Sequence, residues 1–337
     1  YTTDDLTAYY ISVAAEDLGH VMDLESDRFR NLAYPENDFR TEAGAVYGEY
    51  RKNITNPLFV IYEAMMGTAF DEHSYGHTTM GYEEDIAAMP TMYDYSLDFF
   101  SRYYRPDNTI LLIVGDVESA ATMELVRGYY GDWEPGYVPP RITPEPQQTQ
   151  EKHVEVSYDG RSLPILAVAY KFDAFDPDNR ARVAADLLTE IAFGSTSEIY
   201  KRLIIDEQLV EFLAADAAVN RDPGLLDIYT RIKDPARIDD VLAAIDATAD
   251  TFKDTLVEPA ELDALKSRLR YGFLMGLETP DAVARGLARH VAISGGIEAV
   301  EALYRAYETI TPEDVRLAAQ RYLDTSRRTV AVLRATP

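Results

Sequence analysis

The stretch Phe39-Arg40-Thr41-Glu42-Ala43-Gly44-Ala45-Val46-Tyr47-Gly48-Glu49-Tyr50 decides how the rest of the chain is read. Phe39, Ala43, Val46 and Tyr50 recur at helical spacing and make one apolar stripe, which predicts a helix facing a core. Glu42 and Glu49 are seven residues apart. At about 100° per residue they fall almost in line, on the edge of that stripe. A carboxylate beside a buried face is costly unless a cation or hydrogen-bond donors meet it. Two readings are open. In one, the glutamates reach to water or pair with Arg40 or Arg51. In the other, one glutamate ligates a metal and the other supports the site from behind.

Around this stretch lie 337 residues, enough for two domains with sizeable cores. The apolar share of 47% and charged share of 27% are those of a globular protein. Acidic residues outnumber basic ones 58 to 32, a net charge of −26, which argues against a nucleic-acid partner. Such a balance suits either solubility or an acidic cavity that draws in cationic peptides or metal ions. The absence of cysteine excludes disulfides, thiolate zinc sites and cysteine nucleophiles. No apolar run approaches the roughly 20 residues of a membrane span, and no signal peptide is visible. The chain opens inside a Thr- and Tyr-rich stretch that reads as an edge strand, Tyr1 to Val13, without a starting Met, so its true N-terminus is expected upstream.

From there, helices are predicted over 14–32, 58–70, 91–104 and 119–130, with Asp38 capping the glutamate helix. A loop carries His73-Ser-Tyr75-Gly76-His77 between the second and third of these, and Thr109-Ile-Leu-Leu-Ile-Val114 reads as a buried strand. Residues 137–150 hold four prolines and no periodicity, the signature of a linker. The expected division is therefore an N-terminal domain over 1–136, a connector over 137–151 and a second domain over 152–337. In the second domain, strands are predicted at 153–158, 163–172, 212–219, 225–232 and 329–333. Helices are predicted at 178–193, 195–208, 235–256, 259–275, 282–292, 296–307 and 312–322. Each half closes alike: Arg102-Tyr103-Tyr104, a polar turn and Thr109 to Val114 echo Arg321-Tyr322-Leu323, a polar turn and Thr329 to Leu333. A duplicated α+β domain explains that echo.

The chain resembles the pitrilysin or insulinase (M16) family of zinc peptidases, in its shorter two-domain branch similar to mitochondrial processing peptidase. Thr2 to Tyr10, the Glu42/Glu49 pair, the His73 to Ile86 loop, Tyr104-Arg105-Pro106-Asp107-Asn108 and Gly115-Asp116 match the family's pieces in order. The resemblance implies an α+β fold of two similar domains, each a mostly antiparallel sheet packed with helices. It implies Zn²⁺ held by an inverted His-x-x-Glu-His helix and a distal glutamate, with the motif's own Glu as general base. Carried over, Glu49 is the zinc ligand and Glu42 the supporting carboxylate, while the His-x-x-Glu-His falls upstream of Tyr1. An extended peptide substrate would add a strand along Thr2, Thr3 and Asp4. His73 and His77 flank a loop turn and are not ligands, His73 having a structural part. His20, His153 and His290 read as ordinary histidines.

The family's Arg and Tyr, seven apart and holding substrate over the zinc, are matched here by Ile204 and Glu211, which cannot donate to an oxyanion. The expected function is thus a zinc endopeptidase subunit, in a homodimer or with a paralogous subunit supplying that pair. The alternatives are a non-catalytic structural homologue and a peptide-binding module. A periplasmic location is expected.

Overall fold

Ile165-Leu-Ala-Val-Ala-Tyr-Lys171 has almost no polar side chain on either face, so it is stable as a strand only where both faces are covered. In the computed structural model, which describes residues 1–336, every residue of this strand is buried. It is β2 (Ile165–Lys171) of a five-stranded sheet with β1 (Lys152–Tyr158), β3 (Val210–Ala217), β4 (Leu225–Ile232) and β5 (Arg328–Ala335). The order is β1-β5-β2-β4-β3, with β1 parallel to β5 and the other pairs antiparallel. The fold class is α+β, as expected.

One face of the sheet presents Leu166, Val168, Tyr170, Leu226, Ile228, Ile232, Val330 and Val332 to a helical layer. That layer comprises α7 (Arg180–Phe193), α9 (Ile238–Asp254), α10 (Pro259–Met275), α11 (Pro280–Ser294), α12 (Glu298–Thr309) and α13 (Pro312–Tyr322). Between α7 and α9, the one-turn α8 (Glu198–Tyr200) leads towards β3. Helix α7 is buried nearly all round, which explains why its apolar residues follow no single stripe. It starts two residues after the predicted 178, with Asn179 capping it through Arg182 N, and ends at the predicted 193, followed by Gly194. Proline opens α10, α11 and α13 at the first helical position, where its missing N–H is no loss.

The opposite face, Ile165, Ala167, Ala169, Leu225, Ala331 and Leu333, is covered from the N-terminal half. That half contains α1 (Leu18–Asn31), α2 (Glu36–Asn53), α3 (Pro57–Ala69), α4 (Glu83–Ala88), α5 (Tyr93–Tyr103) and α6 (Ser119–Tyr130). The covering side chains are Ile61, Met65, Met66 and Ala69 of α3, followed by Phe70 and Tyr75. The small alanines of β2 let α3 lie close to the sheet.

Three expectations need correction. Tyr1 to Val13 is not one strand. Residues 1–8 double back as a tiny hairpin, with Tyr1 and Ala8 exchanging both main-chain bonds and Thr3 N donating to Leu6 O, so the turn falls at Asp4-Asp5. Thr109 to Val114 joins no ladder, and Ile110 and Leu111 are about half exposed. An apolar run becomes a strand only when a neighbour supplies N–H and C=O groups in register, and none of the described residues does so here. The helix predicted at 195–208 is α-helical only in α8, which Ser197 caps; it then widens into a π-turn over Lys201–Asp206. Gln208 after that turn adopts the left-handed φ of 52°.

Candidate functional site

Helix α2 starts at Glu36, two residues before the predicted cap at Asp38, and puts Ala43 and Tyr50 in the core with Phe39 and Val46 half-buried. The predicted apolar stripe is therefore real. Its two flanks differ. On one, Tyr47 points at α4, its hydroxyl 3.4 Å from Glu83 Oε1. On the other, about 160° further round, Glu42 and Glu49 are both exposed. Their place on the edge of the stripe does not put them beside a buried face, and both reach water: among the described residues nothing covers that flank. Neither glutamate has a salt bridge there, because Arg40 pairs with Glu36 at 2.7 Å instead. What α2 presents is two free carboxylates in line on one flank, about 10 Å apart along its axis.

Among the described residues no three His, Cys, Asp or Glu side chains gather in a way that could hold a metal ion. The residues present do not by themselves make a zinc site. Glu49 can contribute one carboxylate to such a site, and Glu42 a second, supporting one.

Loop 71–77 is built more tightly than its sequence suggests. His73 is buried, and its Nδ1 accepts from Tyr75 N at 3.1 Å, which leaves the proton on Nε2, 3.5 Å from Asp222 Oδ2. Tyr75 is also buried; its hydroxyl donates to Asp5 Oδ1 at 2.6 Å and accepts from Asp222 N at 3.2 Å. Burial, reinforced by the bond to Asp5, pushes this phenol well above its usual range. Asp5 Oδ2 in turn accepts from Arg221 N at 3.1 Å. The hairpin turn, the loop and the β3–β4 connection are thereby joined through one hydroxyl. His77 faces its own chain, with Nδ1 2.8 Å from Thr78 O.

The expected peptide-docking residues lie in that hairpin. Thr2 and Thr7 form its non-hydrogen-bonded pair, their hydroxyls 3.2 Å apart, so the Thr2 main chain points away from the hairpin. Thr3 is half-buried and bonded to Leu6, while Asp4 is exposed at the turn.

The connector is docked at two points. Glu145 accepts from the N–H groups of Asp71, Glu72 and His73 at 3.0 to 3.1 Å, and from Lys171 Nζ at 3.1 Å. Burial alone would raise this carboxyl, but the three N–H donors and Lys171 outweigh it and hold it below the usual range. Gln148 Nε2 reaches Arg328 O at 2.7 Å. Between connector and loop lies a cleft of about 520 Å³, walled by Phe70, His73, His77 and Tyr82 against Arg141 and Ile142. Sequence reading missed Glu145. The available signal was its setting in Pro144-Glu145-Pro146, where two fixed φ angles hold a single acid extended.

At the positions of the missing Arg/Tyr pair, Ile204 packs against the core and Glu211 is exposed, 3.4 Å from Arg231. Neither position offers a donor to a reacting carbonyl.

The profile described as "Peptidase M16 inactive domain" matches residues 92–269, more than half of the chain. Among characterised relatives, the zinc protease PqqE of Helicobacter pylori is 27% identical over 335 residues, covering 98% of this chain and 74% of that protein. The mitochondrial-processing peptidase subunit beta of Lentinula edodes is 20% identical over 347 residues, covering 96% and 71%. Among solved structures, a protease from Helicobacter pylori superimposes with a TM-score of 0.87 at 23% identity, covering 96% of this chain and 78% of that one. By this match of sequence, with a fold to agree, the chain belongs to the M16 peptidase family.

Proposed function

We propose that this chain is a subunit of a zinc-dependent endopeptidase acting on extended or unfolded peptides. The observation that carries the proposal is the pair of free carboxylates in line on one flank of α2, at the family's seven-residue spacing. In this reading Glu49 is one zinc ligand, Glu42 braces it, and the remaining ligands and the general base come from outside the 337 residues. The Thr2 main chain, directed away from its hairpin, offers N–H and C=O groups to an extended substrate. The acidic balance of the chain favours basic peptides. Ile204 and Glu211 leave the oxyanion without donors, so the proposal assigns those donors to a partner subunit.

The same two residues favour a second reading, a non-catalytic homologue that keeps the fold and binds peptide without cleaving it. Hydrolysis of a quenched fluorescent peptide, by the native-length protein alone and mixed with its paralogue, separates the two. Weak cleavage alone, a gain on mixing and loss of both in Glu49→Gln are expected. Peptide recovered intact from every mixture would establish the second reading.

A further inference from the structure

Loop 71–77 is held from two sides by groups that have no part in metal binding. On one side the connector places Glu145 in a cradle of three successive N–H groups, closed by Lys171 Nζ, which also lies 3.9 Å from the centre of the Phe70 ring. A carboxylate ringed by four donors, in a site only about a tenth exposed, is a strong and specific hold. On the other side, Tyr75 grips the turn of the N-terminal hairpin through Asp5. The two holds come within two residues of each other, at His73 and Tyr75, and are mechanically joined. His73 N donates to Glu145 while His73 Nδ1 accepts from Tyr75 N, and the His73 and Tyr75 rings lie 4.2 Å apart. Phe70, at the head of the loop, packs edge-on against the Tyr75 ring with centroids 5.8 Å apart, a further contact between the two ends.

We propose that Glu145 and Tyr75 are positioning residues of one relay, through which docking of the proline-rich connector sets where the hairpin bearing Thr2 stands against the β3–β4 connection. The relay gives the connector a use beyond joining two halves: when Glu145 is seated, the Thr2 edge is held; when it lifts, the edge is released. The claim about the hairpin stands on contacts alone, whereas its consequence for peptide rests on the function proposed above.

Amide hydrogen exchange tests the relay directly. The reporters are Arg221 N–H, bonded to Asp5, and the N–H groups of Asp71, Glu72 and His73, bonded to Glu145. In Glu145→Gln, exchange at all four is expected to rise about tenfold or more, while the amides of β2 and α7 keep their protection. In Tyr75→Phe, Arg221 is expected to speed up by a similar factor while residues 71–73 stay protected. Should Glu145→Gln free residues 71–73 yet leave Arg221 unchanged, or Tyr75→Phe leave Arg221 unchanged, the relay is refuted. If Glu145→Gln does not fold, Tyr75→Phe decides alone. For the dependent part, Glu145→Gln is expected to raise the peptide KM about tenfold at unchanged kcat. A relay seen by exchange with an unaltered KM would refute peptide docking at Thr2 and leave the relay intact.

Discussion

Asp227 illustrates how a single side chain records its surroundings. It faces Asp216 across the β3–β4 ladder, on the side of the sheet turned towards α3. Burial, and then the like charge of Asp216, push its carboxyl up to about 7. The folded protein therefore keeps a proton that the unfolded chain releases near the ordinary carboxylate range, so stability falls as pH rises from about 4 to about 7. Asp227→Asn removes that loss. The variant is expected to be more stable than the parent at pH 8 by ~2 to 4 kcal/mol, with the gain shrinking towards zero near pH 4. Urea unfolding at the two pH values checks this, and a gain equal at both would contradict the assignment. Glu145 runs the other way: its depressed carboxyl adds stability above the ordinary range that is lost as pH falls through its folded value.

At the scale of elements, local signals were dependable where the element answers only to itself. Helices α6, α10 and α13 and strand β4 lie where capping residues, prolines and periodicity place them. Helix α13 carries a full capping box, with Thr311 Oγ1 accepting from Asp314 N at 3.2 Å and Asp314 Oδ2 accepting from Thr311 N at 2.8 Å. Thr311→Ala is expected to cost ~1 kcal/mol, read as a lower midpoint in thermal unfolding, whereas Thr311→Ser should cost only a few tenths. The elements that departed from expectation depend on something distant. Thr109 to Val114 has the composition of its echo in β5 but lacks a paired neighbour. The 195–208 stretch has helical composition, yet its last turn widens and hands over to β3, with Leu203 fixed in the core.

At the scale of the whole molecule, the glutamate spacing was readable because both residues sit on one helix, where seven positions fix their alignment. Their exposure was not readable, since it depends on which element packs on which flank of α2. The Asp5–Tyr75–Asp222 junction was equally hidden: its partners are 70 and 147 residues apart in the chain, and no local pattern connects them. The docking of Glu145 belongs to the same class, as does the use of α3 to cover the second-half sheet. His77 keeps one ring nitrogen on its own turn, Nδ1 to Thr78 O, whereas His73 uses Nδ1 locally and turns Nε2 towards Asp222, a partner no local pattern shows. What joins all three scales is the claim that the free carboxylate of Glu49 belongs to a zinc site completed by residues beyond this stretch. Zinc content per chain, measured by elemental mass spectrometry on the native-length protein and its Glu49→Gln variant, tests that claim most directly. About one zinc in the parent and a large loss in the variant is the expected result; an equal zinc content in the two would contradict it.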